Sequence, residues 1–251
     1  MLKFENCVFS AKGANKNAKV YGLTLTGDEE ILVYNCKFDG TGYAAILNKA
    51  AALVTIKNCE FECGNYYNPI EGNQSAANDN VTIDNCNFTG VPGNNFINFY
   101  NVIEDSVHTI ENCRFYGGTD NNIIRLSNKT NAKAMFNIND CAYRYTTGEV
   151  SDYTGFILCQ DYTNKNGTKQ DFSKYRVNIN NLERPEVGSL VYVYDDGVGI
   201  ITENYPDVYV DGQVTIWGTG QSATGGPGLD GPGFGPSLGG PTFGETEESS
   251  F

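Results

Sequence analysis

Several things are scarce in this 251-residue chain, and each absence narrows what it can do. Lys and Arg number 17 against 30 Asp and Glu, a formal net charge of −13 at pH 7. A surface that neutralises nucleic-acid phosphates or anionic lipid is therefore not expected, and a polyanionic substrate would be repelled unless compensated locally. Histidine occurs once, as His108, and no Cys-x-x-Cys pair exists among the eight cysteines, so zinc-type ligand spacing is missing. No run of about 18 apolar residues offers a transmembrane helix. Met1 is followed at once by LKFENC in place of a basic and then apolar leader, so a soluble, unprocessed chain is the expectation. Helical 3.6-residue periodicity is absent too. Asn and Gly are abundant instead, which favours turns.

What is present is a repeat. FENCVF (4–9), VYNCKF (33–38), IKNCEF (56–61), IDNCNF (83–88) and IENCRF (110–115) are followed by degenerate copies INDCAY (138–143) and INNLER (179–184). Cys7, Cys36, Cys59, Cys86, Cys113 and Cys141 follow one another at steps of 29, 23, 27, 27 and 28 residues. A second apolar segment sits 8 or 9 residues after the motif's Phe, at Ile46, Ile70, Ile97 and Ile124, with later counterparts around Ile157 and Tyr192. Each unit thus holds two or three short strands. A unit this small cannot bury its own apolar face, so neighbouring units must stack into one core.

On these motifs the chain resembles the right-handed parallel β-helix superfamily, whose members include pectate-lyase-like enzymes and phage tailspikes. The resemblance implies an all-β, single-stranded right-handed parallel β-helix of about seven turns over residues 1–217, followed by an extended Gly/Pro-rich C-terminal arm over 218–251. Its specificity is for fold, because the repeated residues are those that build the coil.

The motif contains a slip of parity. In IDNCNF, Ile83 belongs to one alternation of inward residues, while Cys86 and Phe88 belong to the other. Successive strand residues point to opposite faces, so the chain must turn a corner between them. A residue in the left-handed region allows this, and Asn adopts that region at lower steric cost than other non-glycine residues. Asn6, Asn35, Asn58, Asn85 and Asn112 are therefore expected to form a hydrogen-bonded ladder at about 4.8 Å per turn. The six cysteines and the following phenylalanines should stack beside it as core. Lys57 with Asp84, and Lys37 with Glu60, should face each other on neighbouring turns.

The candidate chemistry is thin. Buried free thiols behave as small apolar groups, so the cysteine ladder reads as structure, with Cys63 and Cys159 as further core or strand residues; no metal and no cofactor is expected. His108 reads as a satisfied core or bulge residue. Asp195 and Asp196 precede Gly197 in a turn-like YDDGVG, and the glycine-flanked histidine motif of polygalacturonase-like β-helices is absent. No catalytic residue is assigned.

Two polar insertions, 11–19 and 161–174, are expected to protrude as loops, either carrying contacts or merely tolerated. The first strand starts close to Met1 without a covering helix, and an uncovered last coil is a template for aggregation, so either the true N-terminus lies elsewhere or that end docks on another subunit, and docking is the expectation. DVYVDGQVTIW (207–217) reads as a final strand pair about Asp211 and Gly212. Beyond Trp217, glycine and proline are expected to preclude helix and sheet. That tail is either disordered or an assembly arm anchored by Leu229, Phe234, Leu238, Phe243 and Phe251.

The expectation for function is a non-enzymatic structural subunit of a bacteriophage virion (head decoration, fibre or tail-associated protein), assembled in the host cytoplasm. It would bind other virion proteins through the arm and the open first turn. "Phage" comes from the resemblance, which also makes a homo-oligomer, often a trimer, the expected state. Two other readings stay open: a polysaccharide lyase or glycoside hydrolase, and a carbohydrate-binding adhesin on the same surface.

Overall fold

The computed structural model describes residues 1–11, 20–40, 42–50, 52–63, 68–72, 78–117, 123–128, 130–145, 155–160, 171–184, 189–193, 205–214 and 222–223. Among them there is no helix, and the strands form three sheets. Sheet A stacks Leu2–Glu5, Ile31–Tyr34, Val54–Lys57, Val81–Asp84, Ser106–Glu111, Ala134–Asn139, Tyr175–Asn180 and Asp207–Val210 in parallel, then ends on antiparallel Gln213–Val214. Sheet B stacks Val8–Ala11, Lys37–Gly40, Glu60–Glu62, Asn87–Thr89, Arg114–Gly117 and Ala142–Tyr145. Sheet C stacks Tyr21–Leu25, Ala44–Asn48, Ile70–Gly72, Ile97–Phe99, Ile124–Leu126, Gly155–Cys159 and Ser189–Val193, then ends on antiparallel Ser222–Ala223. The chain visits A, B and C in order and pairs each strand with the equivalent strand of the next turn. This is an all-β parallel β-solenoid.

The turn count is lower than the seven expected. Sheet B has six strands, so the described residues complete no more than six three-sided turns. The degenerate copy INNLER reaches sheet B only through an isolated bridge between Ala142 and Glu183. Pro185 follows at once, and proline has no N–H to donate to a further ladder bond. Sheets A and C continue beyond this point. The far end differs from expectation as well, since Ser222–Ala223, inside the expected arm, pairs with Tyr192 and Val191.

The corner geometry follows from the asparagines. Asn6, Asn35, Asn58, Asn85 and Asn112 all have φ between 50° and 56°, in the left-handed region. Asp140, Asn181 and Asp211 continue the series at φ 52°, 50° and 47°. From Asn6 to Asp140 each corner N–H donates to a carbonyl of the next turn, as Asn58 to Asp84 and Asn85 to Glu111, both at 3.0 Å; Asn181 N–H donates instead to the Asp211 carboxylate at 2.9 Å, and Asp211 N–H back to the Ile179 carbonyl at 2.8 Å. On the side-chain level the ladder is joined in pairs. Asn35 Nδ2 donates to Asn6 Oδ1 (2.6 Å), Asn85 to Asn58 (2.9 Å) and Asn181 to Asp140 (2.8 Å). Asn112 instead donates to Asp84 Oδ1 at 3.0 Å. The carboxylate reaches the amide first and is the stronger acceptor.

Parity behaves as the corner demands. Val81 and Ile83 are buried, Asn85 is exposed, and Cys86 and Phe88 are buried again. Phe9, Phe38, Phe61, Phe88 and Phe115 stack with centroids 4.6–4.9 Å apart and planes within 15°, so the ring spacing is the strand spacing. The eight cysteines are free thiols, and all but half-buried Cys7 are buried. Each ladder thiol donates to the carbonyl two residues back, at 3.1–3.4 Å. That carbonyl lies just before the corner, so a small side chain with a weak donor suits the site.

The outward ion pairs match the expected register only in part. Lys57 Nζ meets Asp84 Oδ2 at 2.6 Å, as its pairing predicts. Lys37 is in register with Glu60, yet its ammonium bonds Glu62 at 2.6 Å. A long flexible side chain can reach the diagonal neighbour on the same face.

Two substitutions test this scheme by denaturant unfolding. Phe88→Ala leaves a gap between Phe61 and Phe115 and is expected to destabilise by about 3–5 kcal/mol. Asn85→Ala is expected to lose about 1–2 kcal/mol to left-handed strain, while Asn85→Gly recovers most of that loss. Equal effects of Ala and Gly at position 85 would contradict the corner role.

Candidate functional site

Two regions combine polar side chains in ways the repeat does not require. The first is an open groove of about 460 Å³ along the corner between sheets A and B, lined by Lys57, Asn58, Asp84, Asn85, Asn112, Arg114 and Asp140. It exists because the corner asparagines stand in line with the outward residues on either side. Asp84 is engaged by both oxygens, one with Lys57 and one with Asn112. Burial acts to raise its carboxyl, but the Lys57 and Asn112 hydrogen bonds outweigh it and hold Asp84 below the ordinary carboxylate range. Asp84 and Glu111 are stacked partners on neighbouring turns. A glycosidase pair needs one carboxyl raised to act as acid, and Asp84 is shifted in the opposite direction.

The second region was not singled out by sequence reasoning. On sheet C the outward column runs through Leu47, Glu71, Asn98, Arg125 and Leu158, in register across successive turns. Unlike the outward columns of sheets A and B, it is covered: Glu71 is 2% exposed and Arg125 0%. Asn68 and Asn98 amides donate to Glu71 Oε2, the latter at 3.4 Å. Burial pushes the Glu71 carboxyl up to about 8, against the lowering by Asn68, Arg125 and Asn98. The Arg125 guanidinium lies 5.4 Å from the Tyr100 ring centre and donates to the Gln160 carbonyl at 3.4 Å. Asn98 Oδ1 is buried without a hydrogen-bond partner. A signal for this column was available: AAIL, NFINFY, NIIRL and GFILC are apolar at neighbouring positions rather than alternate ones, the mark of a sheet covered on both faces.

His108 lies in the core, stacked in register between Val81 and Phe136. Its ring is 5.0 Å from Phe136 and 4.9 Å from Phe99. Nε2 lies 3.1 Å from Ser106 Oγ, while Nδ1 has no partner, so the expected satisfied histidine is satisfied on one side only. Burial lowers its pKa to about 3. The thiols of Cys63 and Cys113, both buried in the core, are pushed well up by burial. No group of three or more His, Cys, Asp or Glu among the described residues is arranged to hold a metal. The arm anchors Leu229, Phe234, Leu238, Phe243 and Phe251, the pair Asp195 and Asp196, and most of both insertions lie outside the described residues.

Comparison with known proteins returns no matching family model, no matching curated protein and no matching solved structure.

Two buried groups contribute to the pH response of folding. His108 has a folded pKa of about 3 against an ordinary 6.5, so its contribution is present above 6.5 and is lost as pH falls towards 3. Glu71 has a folded pKa of about 8 against 4.5, so its contribution is present below 4.5 and is lost as pH rises through 8. In urea unfolding at a series of pH values, His108→Phe is expected to flatten the acid side and Glu71→Gln the stretch between 4.5 and 8. A pH profile unchanged by either substitution would refute these assignments.

Proposed function

We propose that this chain is a non-enzymatic structural subunit that joins a larger assembly by its ends, the solenoid serving as a rigid spacer. The observation that carries this reading is where the repeat spends its residues: the Asn column turns the corners at positive φ, the Cys column packs in the core and the Phe column stacks beside it, so the regular positions all build the coil. A bacteriophage virion is the setting that the family resemblance adds, with the Gly/Pro-rich arm as the second attachment.

Deletion of residues 224–251, which keeps the Ser222–Ala223 strand of sheet C, is expected to leave the cooperative unfolding of the solenoid in place and to abolish its recovery with assembled particles. Undiminished incorporation of the truncated chain would overturn the role of the arm.

A second reading, carbohydrate binding without chemistry, is favoured by the corner groove, where Asn58, Asn85 and Asn112 amides lie beside Arg114 at strand spacing. Retention on a glycan array that is lost in Arg114→Ala would support it.

A further inference from the structure

We propose that the outward face of sheet A pairs with the same face of a second copy of this chain, about a two-fold axis lying along the Val81–Asp84 strand. The pairing sets solenoids side by side and so goes beyond the end attachment proposed above.

The face belongs to interior turns of the rod, so neither end of the chain creates it. Three outward columns cross it in register. Leu53, Asn80 and Val107 stand immediately before the paired Val54, Val81 and His108. Thr55, Thr82 and Thr109 form the middle column, and Lys57, Asp84 and Glu111 the third. Leu53 and Val107 are each 39% exposed, and the threonines between the outer columns are half-buried. A column of identical β-branched side chains on a pleated sheet has even height, so the middle of the face is flat.

Apolar surface and charge select one arrangement. The axis turns the second rod end over end, so Val54–Lys57 of each copy lies over Ser106–Glu111 of the other. Leu53 then meets Val107 of the second copy, Thr55 its Thr109 and Lys57 its Glu111, and by symmetry each contact occurs twice. The Glu111 carboxylate has no ion pair among the described residues. Lys57 already holds Asp84, but an ammonium has three donors and can take a second carboxylate. On the axis Thr82 and Asp84 face their own counterparts. Asp84 is only 8% exposed and is engaged by Lys57 and Asn112, so it lies below the contact. A two-fold axis along the solenoid would instead set Leu53 against Lys57 and Val107 against Glu111, apolar against charged.

Five turns of this face, three columns wide, amount to roughly 1,000 Å² over both copies, the lower bound for a specific interface. The dimer is therefore weak and reversible. The net charge of −13 opposes association at low ionic strength, so pairing is expected at about 0.15 M salt, where charges more than about 8 Å apart are screened.

Sedimentation velocity of the full chain over a dilution series at that salt should show the 27.4 kDa species giving way to one of twice its mass. Val107→Glu, which sets a carboxylate against Leu53 twice, and Glu111→Lys, which sets an ammonium against Lys57 twice, should each weaken association about 10-fold or more. Adding Lys57→Glu to Glu111→Lys should restore it, because the charges are exchanged and Asp84 keeps a lysine on an adjacent turn. Far-UV circular dichroism and melting temperature, expected to match the parent, separate dissociation from misfolding. In Thr82→Cys, a short bismaleimide should join position 82 of one copy to position 82 of the other, located by peptide mass spectrometry. A parent chain monomeric at every concentration, single variants that dimerise like the parent, or the absence of an 82-to-82 link would overturn the proposal. A monomeric chain still taken up into particles would refute the pairing and leave the spacer reading intact. A dimer left out of every particle would do the reverse.

Discussion

Stacking in register at the strand spacing is the constraint from which the rest of this structure follows. Each turn is too small to bury its own apolar face, so every inward residue must find its like on the turn above and below. Parallel strands keep identical positions aligned over many turns, and the repeat fills them with identical side chains. The result is columns of Ile over Ile, Cys over Cys and Phe over Phe rather than a jigsaw of unlike shapes. The left-handed corner makes this arrangement continuous. Without φ near +50° at Asn85, Cys86 and Phe88 would leave the core that Ile83 has just entered.

The columns also show where uniformity gives way. His108 replaces a valine between aromatic neighbours and remains neutral because burial disfavours its charge. Glu71, Asn98 and Arg125 occupy a column that on sheets A and B would face water. Burying a carboxyl and a guanidinium is unfavourable unless each finds hydrogen bonds, and here the amides of Asn68 and Asn98 and the carbonyl of Gln160 supply them. The two polar regions therefore differ in kind. The corner groove is open, with Asp84 held ionised by Lys57 and Asn112. The sheet C column is closed, with a carboxyl whose burial favours the protonated form.

Much of the coil was legible in the sequence, for a specific reason. A repeat compares the chain with itself, so the parity slip in IDNCNF could be checked against several copies of the same corner. The Asn positions and the Phe stack follow from that comparison, while the turn at Asp211 and Gly212 is legible from the Asp-Gly pair itself. The corner at Asp140 is not visible in a motif read as asparagine, although Asp tolerates the same conformation. Lys37 was assigned to Glu60 because register was read without side-chain length. The covered face of sheet C is not legible from the inward positions of the motif, because which outward residues become buried depends on segments far from it. The sixth and seventh turns were counted as equals, yet INNLER has lost both its cysteine and its aromatic, and Pro185 follows.

The hydrogen bonds between turns all run along the axis of the solenoid, while the covalent chain runs across it. A load along the axis is therefore borne by backbone hydrogen bonds on all three sides at once. A load applied through a loose chain end meets only the outermost turn and peels it away strand by strand. The same rod is thus stiff to a push on its flat end and weak to a pull on its thread, and how it is held decides which of the two its surroundings encounter.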